Sequence, residues 1–372
     1  MKTGKSLMDL AAEVQRQAES KKDFIASTKD MRMVGANGGD IDSGVRLELG
    51  GKSGELLAIG DTAHGQIALE TGIPKPYYDR MLAEKPALLA QNVNEWFQAK
   101  PQSRMLRTLD NKARALLSAS YRPLDNYELL EAALPALASA NLDIVSCEVT
   151  ERRLYVKAVD RAIQRHIPNG FRMGDGSHHG FKVPNGEVIP AVSMINSEIG
   201  YSTLSVESGY LDSGCTNLMW AFKSGSLKKR HVGSRLEIGE ELYRELTNET
   251  RTATDKAVWL QFRDTVKLAI SAEGFDARIA VLSEAAQVQI DGDPVKVVEN
   301  IAKKFLLNDG QRSSVLQHLI RGGDLSKFGL ANAVTSMANE QDDYEAASDF
   351  ETLGGKIIEL PRSEWAELAK AA

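Results

Sequence analysis

Two groups of basic and aromatic side chains are where this sequence could do chemistry. In Arg153-Leu154-Tyr155-Val156-Lys157-Ala158, strand alternation puts Arg153, Tyr155 and Lys157 on one face and the apolar residues on the other. A basic and aromatic face can neutralise phosphates and stack bases; an ordinary solvated strand face is the alternative. The second group is Lys223, Lys228, Lys229, Arg230, His231 and Arg235, spaced by Gly225 and Gly233 and free of acids until Glu237. Such a run suits a backbone of regularly spaced phosphates, although basic loops also occur on proteins that bind none. Arg152 and Arg122 complete the set of candidate phosphate-binding residues, with Tyr155 as the stacking platform.

Covalent chemistry finds less to work with. Cys147 and Cys215 both sit in element-forming, apolar sequence, without a nucleophile elbow, and read as reduced and buried. His178 and His179 are neighbours in a Gly-rich stretch, and adjacent side chains on extended backbone point to opposite sides. No H-E-x-x-H, no phosphate-cradling G-x-x-x-x-G-K-[ST] and no G-x-G-x-x-G before a helix is present. The carboxylates Asp110, Asp125, Glu151, Asp160, Glu187 and Glu198 are scattered, without the D-x-D or E-x-K pattern of a metal nuclease. A helix-turn-helix around Gln66–Ile73 is disfavoured by Pro74 and Pro76, which leave little room for groove-reading side chains. The expectation is a protein without covalent catalysis, cofactor or metal.

Charge distribution points the same way. The 372 residues carry 45 Lys and Arg against 51 Asp and Glu. Residues 100–235 hold 18 basic against 13 acidic residues, while residues 236–372 hold 15 against 24. A basic middle in an acidic chain favours a polyanionic partner for that segment. No apolar run is long enough for a membrane span, and the start Met1-Lys2-Thr3-Gly4-Lys5 leads into polar sequence. A cytoplasmic protein that does not enter membranes is expected.

The elements that must position these residues follow from periodicity. Leu7, Leu10, Ala11 and Val14 predict an opening amphipathic helix, Val45–Leu49 a strand, and residues 63–97 helices broken at Gly72, Pro74 and Pro76. Met105–Leu109 and Ala113–Ser118, joined at Asp110-Asn111, predict a hairpin, and Asp125 or Asn126 can cap the next helix. Four extended runs, 143–149, 153–159, 188–195 and 201–210, predict one mainly antiparallel sheet with helices on its apolar face. Residues 170–186 read as a loop and Thr216–Phe222 as a helix. Beyond Arg235 the periodicity is helical, with a last strand expected at Lys356–Leu360. The class is α+β, divided into a mixed region 1–100, a basic core 101–235 and an acidic helical region 236–372.

Several blocks resemble the phage/plasmid-like protein family, also called domain-of-unknown-function family 932. They are Gln66–Tyr78, Val93-Asn94-Glu95-Trp96, Ser120–Asn126, Asn196-Ser197-Glu198-Ile199-Gly200, Cys215-Thr216-Asn217, Asn332-Ala333-Val334-Thr335 and Leu353-Gly354-Gly355. The resemblance spans roughly residues 60 to 360 and implies a mobile element inside a bacterial host cell. The order of strands and helix between Arg153 and Phe222 also looks like the core of Rad52-like single-strand annealing proteins, an analogy of topology.

Together these readings lead to an expected ATP-independent DNA-binding protein that anneals single strands in recombination. Its partners would be single-stranded DNA and further copies of itself, in a ring or filament. Two alternatives stay open: a metal-dependent nuclease using carboxylates such as Glu198, and a protein-binding module acting on host defence or replication through its acidic C-terminal helices.

Overall fold

A hairpin at residues 103–118 organises the N-terminal part. The computed structural model describes residues 2–35, 44–50, 56–167, 187–212, 218–220, 227–229, 231 and 248–369, without the side chains of 248–255. Strands β5 (Ser103–Leu109) and β6 (Lys112–Ser118) are joined by Asp110 and Asn111, both at positive φ, 49° and 57°. Two such residues give a turn whose twist matches the hairpin, and Asp and Asn enter that region more readily than other side-chain-bearing residues. Around the hairpin lie β1 (Lys22–Ser27), β2 (Met31–Val34), β3 (Arg46–Leu49) and β4 (Leu56–Ile59). The order is β1-β5-β6-β4-β3-β2, antiparallel except where β4 meets β6.

The two edge strands of this sheet, β1 and β2, are separated in sequence only by Thr28–Asp30. Such a link reaches at most roughly 14 Å, whereas a flat six-stranded sheet sets its edges roughly 24 Å apart. The sheet must therefore curl. Helices α2 (Asp61–Thr71), α3 (Lys75–Glu84) and α4 (Pro86–Ala99) pack into it through Ile67, Tyr78, Met81, Leu89, Val93 and Phe97. Asn94 on α4 accepts from Met33 N at 2.7 Å and donates to Met33 O at 2.8 Å, which ties the helix to β2. The division expected at residue 100 runs through this sheet, since β1–β4 and β5–β6 lie on opposite sides of it.

The second sheet contains all four predicted runs in one antiparallel array. Its strands are β7 (Asp143–Val149), β8 (Leu154–Val159), β9 (Arg165–His166), β10 (Glu187–Asn196), β11 (Leu204–Asp212), β12 (Leu218–Trp220) and β13 (Leu227–Lys229). The main order is β12-β11-β10-β8-β7, with β9 on β10 and β13 on β11. Leu154, Val156, Ala158, Val192, Met194, Leu204 and Val206 form one apolar face under α1 (Leu7–Ser20), α5 (Asn126–Ser139) and α6 (Asn248–Ala269). Asp125 is the N-cap of α5, and Glu128 reaches back to accept from its amide at 3.5 Å.

Helices α7 (Ala272–Gln287), α8 (Pro294–Phe305), α9 (Asp309–Gly322), α10 (Lys327–Ser336), α11 (Tyr344–Ile358) and α12 (Arg362–Ala369) form the C-terminal part. They share one core with Val188, Tyr210 and Met219 of the sheet. Where α10 and α11 cross, a Cβ on Gly354 would lie 2.3 Å from Thr335 Cγ2, so this packing requires glycine.

Two expectations are corrected. Within 216–222, Leu218–Trp220 is a strand paired with Gly209–Leu211, because an apolar run of that length satisfies an edge as well as a helical turn. Residues 356–358 end α11, where Ala347, Phe350, Glu351, Gly354 and Ile358 are buried at helical spacing. Residues 170–186 lie outside the described residues. Among the described residues, no helix is long and apolar enough to cross a membrane.

Candidate nucleic-acid interface

Strand β8 is buried along its whole length, and this changes what its basic and aromatic residues can do. Tyr155 is 1% exposed and Lys157 0%. The face they occupy is covered by the first turns of α11. Tyr155 packs its ring against Tyr344, centroids 5.2 Å apart, and its hydroxyl accepts from Arg153 Nη1 at 3.0 Å. Burial raises the Tyr155 hydroxyl to about 12. Lys157 Nζ donates to Glu351 Oε2 at 2.7 Å and Ser348 Oγ at 2.8 Å, and lies 4.7 Å from the Tyr344 ring centroid. Trp220 Nε1 donates to the same carboxylate oxygen at 2.8 Å. Burial drives the Lys157 ammonium downward while Glu351 holds it up. Tyr155 and Lys157 are therefore not the stacking and phosphate groups expected of them. They are the floor of a helix–sheet contact.

Among the described residues, Arg152, Arg153, Lys228 and Lys229 lie at one end of this sheet. Arg153 stands just before β8 and Arg152 in the turn before it, while the β10–β11 turn brings Tyr201 alongside. Gly200 makes that turn possible: its φ is +73°, and a Cβ there would lie 2.7 Å from Leu117 Cδ2. Tyr201 is 45% exposed. The Arg153 and Arg152 guanidinium carbons lie 4.7 and 5.1 Å from its ring centroid. Two acids of α11 face the same arginines, Glu345 at 3.8 Å from Arg152 and Asp349 at 4.0 Å from Arg153. The Asp349 side chain is largely exposed, so its 4.0 Å contact with Arg153 is screened by solvent.

Register places Lys228 opposite Ser205 and Lys229 opposite Leu204, at the same sheet end. Lys228 is exposed, with Glu207 3.9 Å away. Lys223, Arg230 and Arg235 lie outside the described residues. Arg122 is partly buried, and its backbone N–H donates to His231 O at 2.8 Å, which ties residues 120–126 to the basic segment. His231 stacks on Tyr121 with rings 6° from parallel and centroids 5.2 Å apart. Both its ring nitrogens are buried without a hydrogen bond, and burial lowers it to about 4.

Beside this end lies a buried ionic network that joins the two sheets. Arg107 of β5 donates to Asp23 Oδ1 at 2.9 Å, Asp125 Oδ1 at 2.8 Å and Glu198 O at 2.8 Å. Burial opposes the charge on Asp125, but Arg107 and Lys21 hold its carboxyl below the usual range. Arg114 Nη1 meets Glu198 Oε2 at 3.0 Å, and the Asn126 amide donates to Glu198 Oε1 at 2.8 Å. Gln66 Nε2 donates to Ile199 O, Tyr121 Oη to Ser197 O, and Asn196 Nδ2 to Leu124 O. Gln66, residues 120–126 and residues 196–199 thus meet in one place.

Glu198 is 4% exposed with both oxygens engaged by Arg114 and Asn126, an arrangement that holds a structure together rather than a metal. Among the described residues, no three His, Cys, Asp or Glu side chains converge as metal ligands would. Cys147 is buried, without a disulfide among the described residues, and burial raises its thiol to about 11; Cys215 lies outside the described residues. Tyr201 was not among the sequence candidates. The signal for it was its place directly after a glycine in a short connection between two strands.

The fold and this end of the sheet define an α+β protein with two mostly antiparallel sheets and a helical C-terminal part. Comparison with family models, with curated proteins and with solved structures finds no match.

Proposed function

We propose that this protein binds single-stranded DNA at the Tyr201 end of the seven-stranded sheet and anneals strands without ATP. What supports the reading is one observation above the rest: a half-exposed Tyr201 ring contacted by two guanidinium groups. A partly exposed aromatic ring offers stacking area to any base, which makes binding tolerant of sequence. Arg152 beside it, with Lys228 and Lys229 at the same end of the sheet, would supply charges for the sugar–phosphate backbone, whose neutralisation releases counterions. Arg153 orients the platform, since its side chain is shared between Tyr201 and Tyr155. Annealing would use several copies in a ring or filament, each holding a short stretch of strand with its base edges free.

The test is fluorescence anisotropy of a labelled single-stranded oligonucleotide at low salt, with wild type and Tyr201→Ala. Binding by the wild type and a clear loss in the variant are expected. Absence of wild-type binding at low salt would end the proposal and favour a protein-binding module.

A further inference from the structure

Away from the sheet end, a cleft of about 870 Å³ opens between the last turn of α7 and α12. Val281, Ala285, Val288 and Ile358 give it apolar walls, and Trp365 stands in its lining. That volume is within the range of small-molecule sites. Lys327, the first residue of α10, also lines it and is only 7% exposed. Its Nζ donates to Leu360 O at 2.7 Å and lies 5.8 Å from the Trp365 ring centroid. An ammonium carries three donors, and that carbonyl occupies one.

The charged groups around Lys327 do not neutralise it. Glu284 acts on it through space, but Glu284 is paired with Arg362 at 2.7 Å at the cleft mouth. Asp291, the other acid of the lining, is exposed. Burial drives Lys327 downward, the direction expected of a cation short of an anionic partner. A nearly buried lysine with no carboxylate against it among the described residues, in the lining of a cleft with apolar walls and an indole, has the chemistry of an anion site with a hydrophobic annex.

We propose that this cleft binds a small aromatic acid, its anionic group on Lys327 Nζ and its ring system along Trp365 and Val288. The site is separate from the proposed DNA interface, and the failure of either reading leaves the other standing. The probe is 1-anilinonaphthalene-8-sulfonate, an aryl anion whose fluorescence rises in apolar surroundings, with N-phenyl-1-naphthylamine as its uncharged counterpart. Saturable binding of one sulfonate per wild-type chain is expected. Lys327→Met should weaken it at least about tenfold while leaving the uncharged probe unaffected, because only the anion uses the ammonium. Ala366→Trp keeps Lys327 and fills the cleft from a half-buried position, so it should remove both probes, and it keeps the test decisive if Lys327→Met fails to fold. Unchanged sulfonate affinity in either folded variant, or no saturable binding to the wild type, overturns the proposal.

Discussion

Lys157 and Glu351 are 194 positions apart in the chain, yet their side chains meet at 2.7 Å with essentially no exposure. The pair joins the middle of the basic strand to the acidic C-terminal helix. It accounts for the fate of the face expected to bind DNA, because the helix that brings Glu351 also covers Tyr155.

Breaking this pair from one side should be costly. Glu351→Leu leaves a buried ammonium without its counter-charge and removes the acceptor of Trp220 Nε1, and a loss of about 3 to 5 kcal/mol is expected. Lys157→Met with Glu351→Leu should cost much less than the two single changes added together, because no buried charge is then left alone. Urea denaturation of the two single variants and the double variant measures the coupling. Strict additivity would mean that the contact contributes nothing.

Acid should destabilise the protein through His231. Its folded value is about 4, below the roughly 6.5 of an unfolded histidine. Between those values the unfolded chain binds a proton that the folded chain excludes, so stability is fully present above about pH 6.5 and falls as pH drops toward 4. The contribution lost at pH 5 is at most about 2 kcal/mol. His64, lowered by burial to about 4, acts in the same direction. His231→Phe keeps the ring on Tyr121 and removes one titration, so its melting temperature should fall less than that of wild type between pH 7 and 5. Parallel curves would show that His231 is not buried as a neutral ring.

Leu306 closes α8 in the left-handed region, at φ 58°, and is 89% exposed. A side chain there is strained and packs against little. Leu306→Gly should stabilise the protein by about 1 kcal/mol, read as a rise in melting temperature. A fall would mean that the leucine packs against a neighbour in solution.

Stacking and charge at the proposed DNA interface can be separated in one salt titration. Tyr201→Ala should cost about 1 to 3 kcal/mol of single-strand affinity with the salt slope nearly unchanged. Replacing Lys228 and Lys229 with Ala should flatten the slope of log affinity against log salt by roughly 1.4, about 0.7 for each phosphate no longer neutralised. An unchanged slope would remove these lysines from the interface.

Local chemistry was enough to read much of the architecture. The hairpin turn at Asp110-Asn111, the cap at Asp125 and the four alternating runs depend on contacts between near neighbours or on a period of two, and the structure has them, although the run expected at 201–210 is a strand only from Leu204 to Asp212. The alternation at 153–158 also divided Arg153, Tyr155 and Lys157 correctly from the apolar residues. What covers each face is a different kind of fact. Burial of Lys157 depends on a glutamate far along the chain, and no periodicity within β8 contains that information. The same holds for Tyr201, an ordinary turn residue until two arginines from another connection close on its ring. It holds again for the arginine network, which joins β1, β5 and the starts of α5 and the β10–β11 turn. A strand's sidedness is set by its own residues, whereas exposure is set by whatever packs against it, and only the tertiary structure decides that.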